Sequence, residues 1–212
     1  MAPIDVASSL GNGTVSKSES ASWRIALVLE YQGSNYQGFQ AQRDTPTVQG
    51  EMDQALEALM GGPIKTWGAS RTDSGAHALG QVMAFTTQVP YPADVIARAL
   101  NARLPADIRV QGAYEVEPGF DPRRHASSRR YQYHFLERDK HSALWRHFAY
   151  QVRGPLNVEA MGRAAACLVG RRDLSAFSSS PWTCTGPEVL QAEIQRQDDL
   201  VILAIEAQAF RP

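Results

Sequence analysis

Trp23-Arg24-Ile25-Ala26-Leu27-Val28-Leu29-Glu30-Tyr31 is an aliphatic and β-branched run that predicts a strand. Its period of two places Ile25, Leu27, Leu29 and Tyr31 on one face. Residues 32–46 follow as a loop containing Gly33 and Gly38. Thr47 is a candidate N-cap, and Val48, Met52, Ala55, Leu56, Leu59 and Met60 form a helical stripe that stops at Gly61-Gly62. A second strand is expected over 63–70, then a turn over 71–77 signalled by Asp73-Ser74-Gly75, then a third strand over 80–88. Pro92 opens a second helix reaching about Leu104, and a fourth strand spans 107–117 with Ile108, Val110, Tyr114 and Val116 in register. The order is β-α-β-β-α-β, the ferredoxin-like or split β-α-β arrangement.

The chain then starts again. Arg129–Glu137 alternates strictly, with Tyr131, Tyr133 and Phe135 on one face and Arg130, Gln132 and His134 on the other. Asn157 caps a helix with Met161, Ala164, Ala165 and Leu168 inward and Gly170 closing it, and 189–196 pairs with 200–207 around Asp198-Asp199. The expected fold class is therefore α+β. Two ferredoxin-like halves form a largely antiparallel mixed sheet with helices on one side, and the second half is truncated by one helix and one strand. The expected organisation is a disordered tail over 1–22, a catalytic half over 23–118 and an incomplete half over 119–212.

Composition narrows the function classes. The chain has 212 residues, 43% of them hydrophobic, which suits a globular protein with a real core. No apolar run approaches the ~20 residues that span a bilayer, and no secretory signal opens the chain. Cys167 and Cys184 show no Cys-x-x-Cys spacing and read as plain thiols in a reducing, cytoplasmic compartment. The histidines and cysteines show no metal-ligand spacing, phosphate-binding glycine loops are missing, and without a Gly-x-Ser-x-Gly elbow a serine hydrolase lacks support. Net charge is −1, yet the segment 121–153 carries eight basic residues against three acidic ones. A neutral total can hide a basic face that neutralises phosphates, although a solvated surface gives the same count.

Two features could carry chemistry. Asp73 sits in a tight polar turn with Arg71 before it and His77 after. A guanidinium within about 4–6 Å favours an ionised carboxylate, fit to act as nucleophile or base. An ordinary Asx turn reads the same way. Tyr131 follows Arg129 and Arg130 and opens a strand, a pattern that suits stacking on a base beside phosphate contacts, or a core tyrosine.

Six ordered blocks carry a resemblance. They are Tyr31-Gln32-Gly33-Ser34-Asn35-Tyr36-Gln37-Gly38-Phe39-Gln40-Ala41-Gln42 with Thr47-Val48-Gln49; Arg71-Thr72-Asp73-Ser74-Gly75-Ala76-His77 with Gly80-Gln81-Val82; Asn101 to Pro105 with Asp107-Ile108; Phe120-Asp121-Pro122-Arg123 leading to Arg129–Tyr133; Gly170 to Asp173 with Phe177; and Ala209-Phe210. Together they span about residues 24–212 and resemble the tRNA pseudouridine synthase A (TruA) family. The resemblance implies an isomerase that converts uridine to pseudouridine in the anticodon stem-loop of tRNA at positions 38, 39 and 40. It implies a homodimer with a basic RNA cleft and no metal or cofactor.

Position by position, Asp73 matches the catalytic aspartate and Arg71 the arginine beside it, linked to opening the RNA and filling the space of the flipped nucleotide. Tyr131 matches the tyrosine that packs on the target base, and Arg123, Arg129 and Arg130 are the expected RNA contacts. Ser70, Ser74, Ala76 and Gln32 depart from the usual glycine, alanine, valine and acidic residue. Family members continue past the Ala-Phe block into a helix with a further cation and a last strand, so the chain is expected to be C-terminally incomplete. The alternatives are a catalytically inactive RNA-binding remnant of the family and an unrelated α/β RNA-binding module.

Overall fold

The computed structural model describes residues 22–177 and 186–210. The tail expected over 1–22 lies, except for Ser22, outside the described residues, as does Cys184; Cys167 is an exposed free thiol. The elements fall into two compact units, Met1–His125 and Ala126–Pro212.

The first unit holds β1 (Trp23–Tyr31), α1 (Val48–Met60), β2 (Thr66–Gly68), β3 (Ala78–Thr87), α2 (Ala93–Asn101) and β4 (Ile108–Val116). Its sheet has the order β2-β3-β1-β4, and every pair is antiparallel. The hairpin strand β3 inserts between β1 and β2, which is the split β-α-β arrangement. Ile25, Leu27, Leu29 and Tyr31 are buried with Met83 and Phe85 of β3 and Ile108 and Val110 of β4, under Val48, Met52 and Leu56 of α1 and Ile96 and Leu100 of α2. Each such side chain contributes about 1.5–3 kcal/mol on burial. Thr47 caps α1 by accepting from the Gly50 amide, and Gly61 ends it at φ 79°.

Three details depart from the sequence reading. β2 is confined to Thr66–Gly68, and beyond it the Ala69 amide still donates to the Val82 carbonyl of β3 at 2.8 Å as the chain leaves for the turn. Pro92 is the N-cap of α2 rather than its first helical residue. In β4, Val28 faces Gly112 but Leu29 faces Val110, so a bulge at Gln111 reverses the alternation. Ala113 therefore joins the core, and Tyr114 stays exposed on the opposite face. On that face Arg24 lies 4.4 Å from the Trp67 ring centroid, and its Nε donates to the Phe120 carbonyl at 3.0 Å. Burial lowers the Arg24 pKa and the charge of Asp121 opposes the shift.

The second unit holds β5 (Arg129–Glu137), β6 (Tyr150–Val152), α3 (Val158–Ala166), β7 (Val189–Gln197) and β8 (Leu200–Ala207). Its sheet order is β6-β5-β8-β7. All pairs are antiparallel except β5 with β6, so the two sheets together are largely antiparallel with one parallel pair. β6 is a three-residue edge strand with no periodicity to announce it. Asn157 caps α3 by accepting from Ala160, as its sequence position implies. The β7–β8 hairpin turns at Asp198, which adopts φ 53°. The whole is an α+β fold of split β-α-β character.

Candidate active site

The turn between β2 and β3 is gripped from both ends. At its start the Gln81 side chain brackets Ser70: Nε2 donates to the Ser70 carbonyl at 2.8 Å, and Oε1 accepts from its amide at 3.3 Å. At its centre the Asp73 carbonyl accepts from the Ala76 amide at 3.1 Å, with Gly75 at φ 78° in the third position, as a type II turn requires.

The loop after β1 forms the cradle. The Tyr31 hydroxyl meets Thr72 Oγ1 at 2.7 Å, and the Thr72 carbonyl accepts from the Phe39 amide at 3.0 Å. The Tyr36 carbonyl accepts from the Gly75 amide at 3.2 Å and from Ser74 Oγ at 3.3 Å. The Gly33 amide donates to His77 Nδ1 at 3.1 Å. Close approach dictates both loop glycines. A Cβ on Gly33 would overlap the Ala76 carbonyl, and one on Gly38, at φ 91°, would stand 2.8 Å from the Thr72 carbonyl oxygen. The cradle is itself anchored. Tyr36 Oη donates to Asp107 Oδ1 at 2.6 Å, and Asn35 Nδ2 donates to Oδ2 at 3.1 Å. Burial, then this bond, raises the Tyr36 pKa.

On this rigid support Asp73 is exposed. Among the described residues, no hydrogen bond or ion pair engages its carboxylate, and none joins it to Arg71. Both side chains stand in solvent, where an ion pair gains at most about 1 kcal/mol, too little to hold two side chains together. Both oxygens of Asp73 stay available to a ligand.

The other expected residues are held by local devices. Asp121 Oδ1 accepts from the amides of Arg123 and Arg124 at 2.8 and 3.2 Å, leaving both side chains exposed. Burial raises the Asp121 pKa, but those two bonds and the Arg124 and His125 charges carry it below the ordinary carboxylate range. In the second unit the Tyr131 ring lies 4.7 Å from that of Phe210 at an interplanar angle of 80° and remains 38% exposed. Arg129 Nη1 donates to the Gln208 carbonyl at 2.9 Å, while Arg130 is exposed opposite Glu206. The sequence alone assigns no function to Gly33, Gly38, His77 or Phe210. The glycines spaced through 33–38 and the terminal aromatic are the signals it offers. Among the described residues, no group of three His, Cys, Asp or Glu side chains could hold a metal ion, and no helix is long and apolar enough to cross a membrane.

The sequence profile of a family described as tRNA pseudouridine synthase matches residues 27–123, the segment holding the cradle and the Asp73 turn. A tRNA pseudouridine synthase A of Thermoanaerobacter pseudethanolicus is 39% identical over 188 residues, covering 88% of this chain and 77% of the relative. The protein of that name from Pectobacterium atrosepticum is 34% identical over 99% of this chain and 75% of its own length. That from Myxococcus xanthus is 42% identical over 74% of this chain and 59% of its own. With that identity over most of its length, the chain belongs to the tRNA pseudouridine synthase A family of isomerases.

Proposed function

We propose that this chain isomerises uridine to pseudouridine in the anticodon stem-loop of tRNA, at positions 38, 39 and 40, with Asp73 as the nucleophile. It works as a cytoplasmic homodimer without metal or cofactor. The observation that carries the reading is a solvent-facing carboxylate without a partner among the described residues, on a turn held by side-chain and backbone bonds from two other segments. Carboxylates serve as nucleophiles when they are oriented and unencumbered.

The reaction breaks the bond between uracil N1 and the ribose and forms one from C5 to the same carbon. In one route the Asp73 carboxylate attacks the anomeric carbon, and the N1–carbon electron pair leaves with uracil. The base then rotates, C5 displaces Asp73, the C5 hydrogen departs as a proton, and N1, which left with the electron pair, takes up a proton from solvent. Attack on the base or abstraction of a sugar proton would start from the same carboxylate and end with the same loss of hydrogen. Tyr131 supplies a flat face for the flipped base, worth about 1–3 kcal/mol. Arg71 contacts the opened RNA, and Arg123, Arg129 and Arg130 contact phosphate.

The test is tritium release from tRNA labelled at uracil C5, because every route loses that hydrogen. Asp73→Asn and Asp73→Ala are expected to abolish release while tRNA affinity, measured by filter binding, stays near the parent value. A variant within about tenfold of the parent rate would remove Asp73 from the nucleophile's role, since losing an essential nucleophile costs many orders of magnitude. An inactive parent that still binds tRNA would mark an RNA-binding protein without the activity.

A further inference from the structure

We infer that His77 is a positioning residue: its neutral imidazole, accepting the Gly33 amide at Nδ1, locks the cradle under Asp73. The inference rests on the proposed role of Asp73 and concerns a side chain to which that role assigns nothing.

The geometry leaves the Gly33 amide little choice of partner. Gly33 is buried, and the Ala76 carbonyl occupies the space where its Cβ would be. Its amide points to His77 Nδ1 at 3.1 Å, while its carbonyl is taken by the Tyr36 amide at 3.0 Å in the short 3-10 turn Gly33–Asn35. The next link is Tyr36, whose carbonyl receives both the Gly75 amide and Ser74 Oγ. Those residues directly follow Asp73. The path from the imidazole to the carboxylate is thus a closed ring: His77, Gly33, Tyr36, then Ser74 and Gly75, and back along the chain to His77.

An acceptor at Nδ1 puts the proton of a neutral imidazole on Nε2. When the ring takes a second proton, both nitrogens become donors, and the buried Gly33 amide then faces an N–H. The amide loses its acceptor with no room to turn elsewhere, so the 3-10 turn must shift and carry Tyr36 with it. The charged and titratable groups on the segments around this ring are Arg71 and Asp73 in the turn, Tyr31 bonded to Thr72, and Tyr36 with Asp107 behind the cradle. Asp107 is already engaged by Tyr36 and Asn35.

The experiment compares His77→Asn with His77→Gln. The Asn side chain places Oδ1 where Nδ1 stands, and accepts without titrating. The Gln side chain places its amide where Nε2 stands and leaves Gly33 without its acceptor. Tritium release is measured from about pH 5 to 8, the window in which imidazoles change charge. The Asn variant is expected to keep kcat near the parent value and to lose the acid limb. The Gln variant is expected to lose roughly tenfold or more in kcat at every pH, the scale of a small misplacement of a reacting group. Equal defects in both variants, or a parental acid limb in the Asn variant, would overturn the assignment.

A readout independent of activity uses the unmutated chain. The 15N–15N coupling through the Gly33 N–H···Nδ1 bond is expected at high pH and should vanish as the imidazole protonates. Its absence at high pH refutes the clamp even if a variant fails to fold. A coupling present in a chain that releases no tritium would instead refute the proposed activity and leave the clamp intact.

Discussion

Asp73 is the visible residue of the proposed site, but two glycines some forty residues before it cradle the turn on which it stands. Gly38 combines a left-handed φ of 91° with a Cβ position 2.8 Å from the Thr72 carbonyl oxygen, whereas Gly61, also left-handed at φ 79°, faces nothing within 4 Å. The pair separates two costs. Gly61→Ala carries only the backbone penalty and is expected to lower stability by about 1–2 kcal/mol in urea unfolding, with turnover unchanged. Gly38→Ala adds the displacement of Thr72, whose hydroxyl and carbonyl both fix the turn. It is expected to cost roughly a further 1–3 kcal/mol, the scale of overpacking, and to reduce kcat sharply. Equal turnover in the two alanine variants would show that the cradle does not position Asp73. None of this pairing can be read from the sequence. The Arg-Thr-Asp turn is local and announces itself through Asp73-Ser74-Gly75, whereas the bond from Gly33 to His77 joins residues 44 apart, and a single sequence carries no signal of proximity at that range.

At the scale of the element, legibility follows the number of local signals. α1 is legible at both ends because a capping threonine and a left-handed glycine mark them. β2 is shorter than its sequence suggests because an apolar run does not say how many of its residues find a partner. The alternation in β4 breaks at a bulge that only pairing reveals. β6 is too short to show any period. The join between α1 and β2 is hidden as well. Thr66 donates to Asp53 Oδ1 at 2.6 Å and accepts from Gln49 Nε2 at 2.9 Å, so a polar chain crosses from helix to strand. Burial raises the Asp53 pKa, the Thr66 bond lowers it, and the Glu57 charge adds to the rise. A carboxyl whose folded pKa lies above its unfolded value stabilises the protein at low pH, and that contribution is lost as pH rises through the folded value. At neutral pH, therefore, the charge on Asp53 is a cost. Asp53→Asn keeps an acceptor for Thr66 and removes the charge. Its melting temperature is expected to equal or exceed the parent's at about pH 7, with the advantage shrinking as pH falls toward about 4. A less stable variant at neutral pH would mean that the Thr66 bond needs the full carboxylate charge.

For the whole molecule the question is how a chain of net charge −1 holds a polyanion. Charge distribution answers it. Of the eight basic residues between 121 and 153, Arg124 lies 3.7 Å from Asp121, and Arg138 pairs with Asp199 at 2.6 Å. Arg130, Lys140, Arg146 and Arg153 are exposed and pair with no carboxylate among the described residues. Elsewhere cations are neutralised in place, as in Arg98 with Asp94 and Arg163 with Glu159, each one helical turn apart. Unneutralised cations displace counterions from RNA; a cation already paired with a carboxylate gives little. The logarithm of tRNA affinity should therefore fall steeply with the logarithm of salt concentration. Replacing Arg123, Arg129 and Arg130 together by Ala should flatten the slope by roughly one unit for each phosphate that is no longer neutralised. Arg98→Ala, on the outer face of α2, should leave the slope as it is in the parent. Arg129 also holds the Gln208 carbonyl, so its variant alone is expected to lose some stability, and slopes must be compared at a temperature where every variant is folded. If the triple variant keeps the parental slope while Arg98→Ala changes it, tRNA binds another face of the molecule, and the basic segment 121–153 is only a solvated surface.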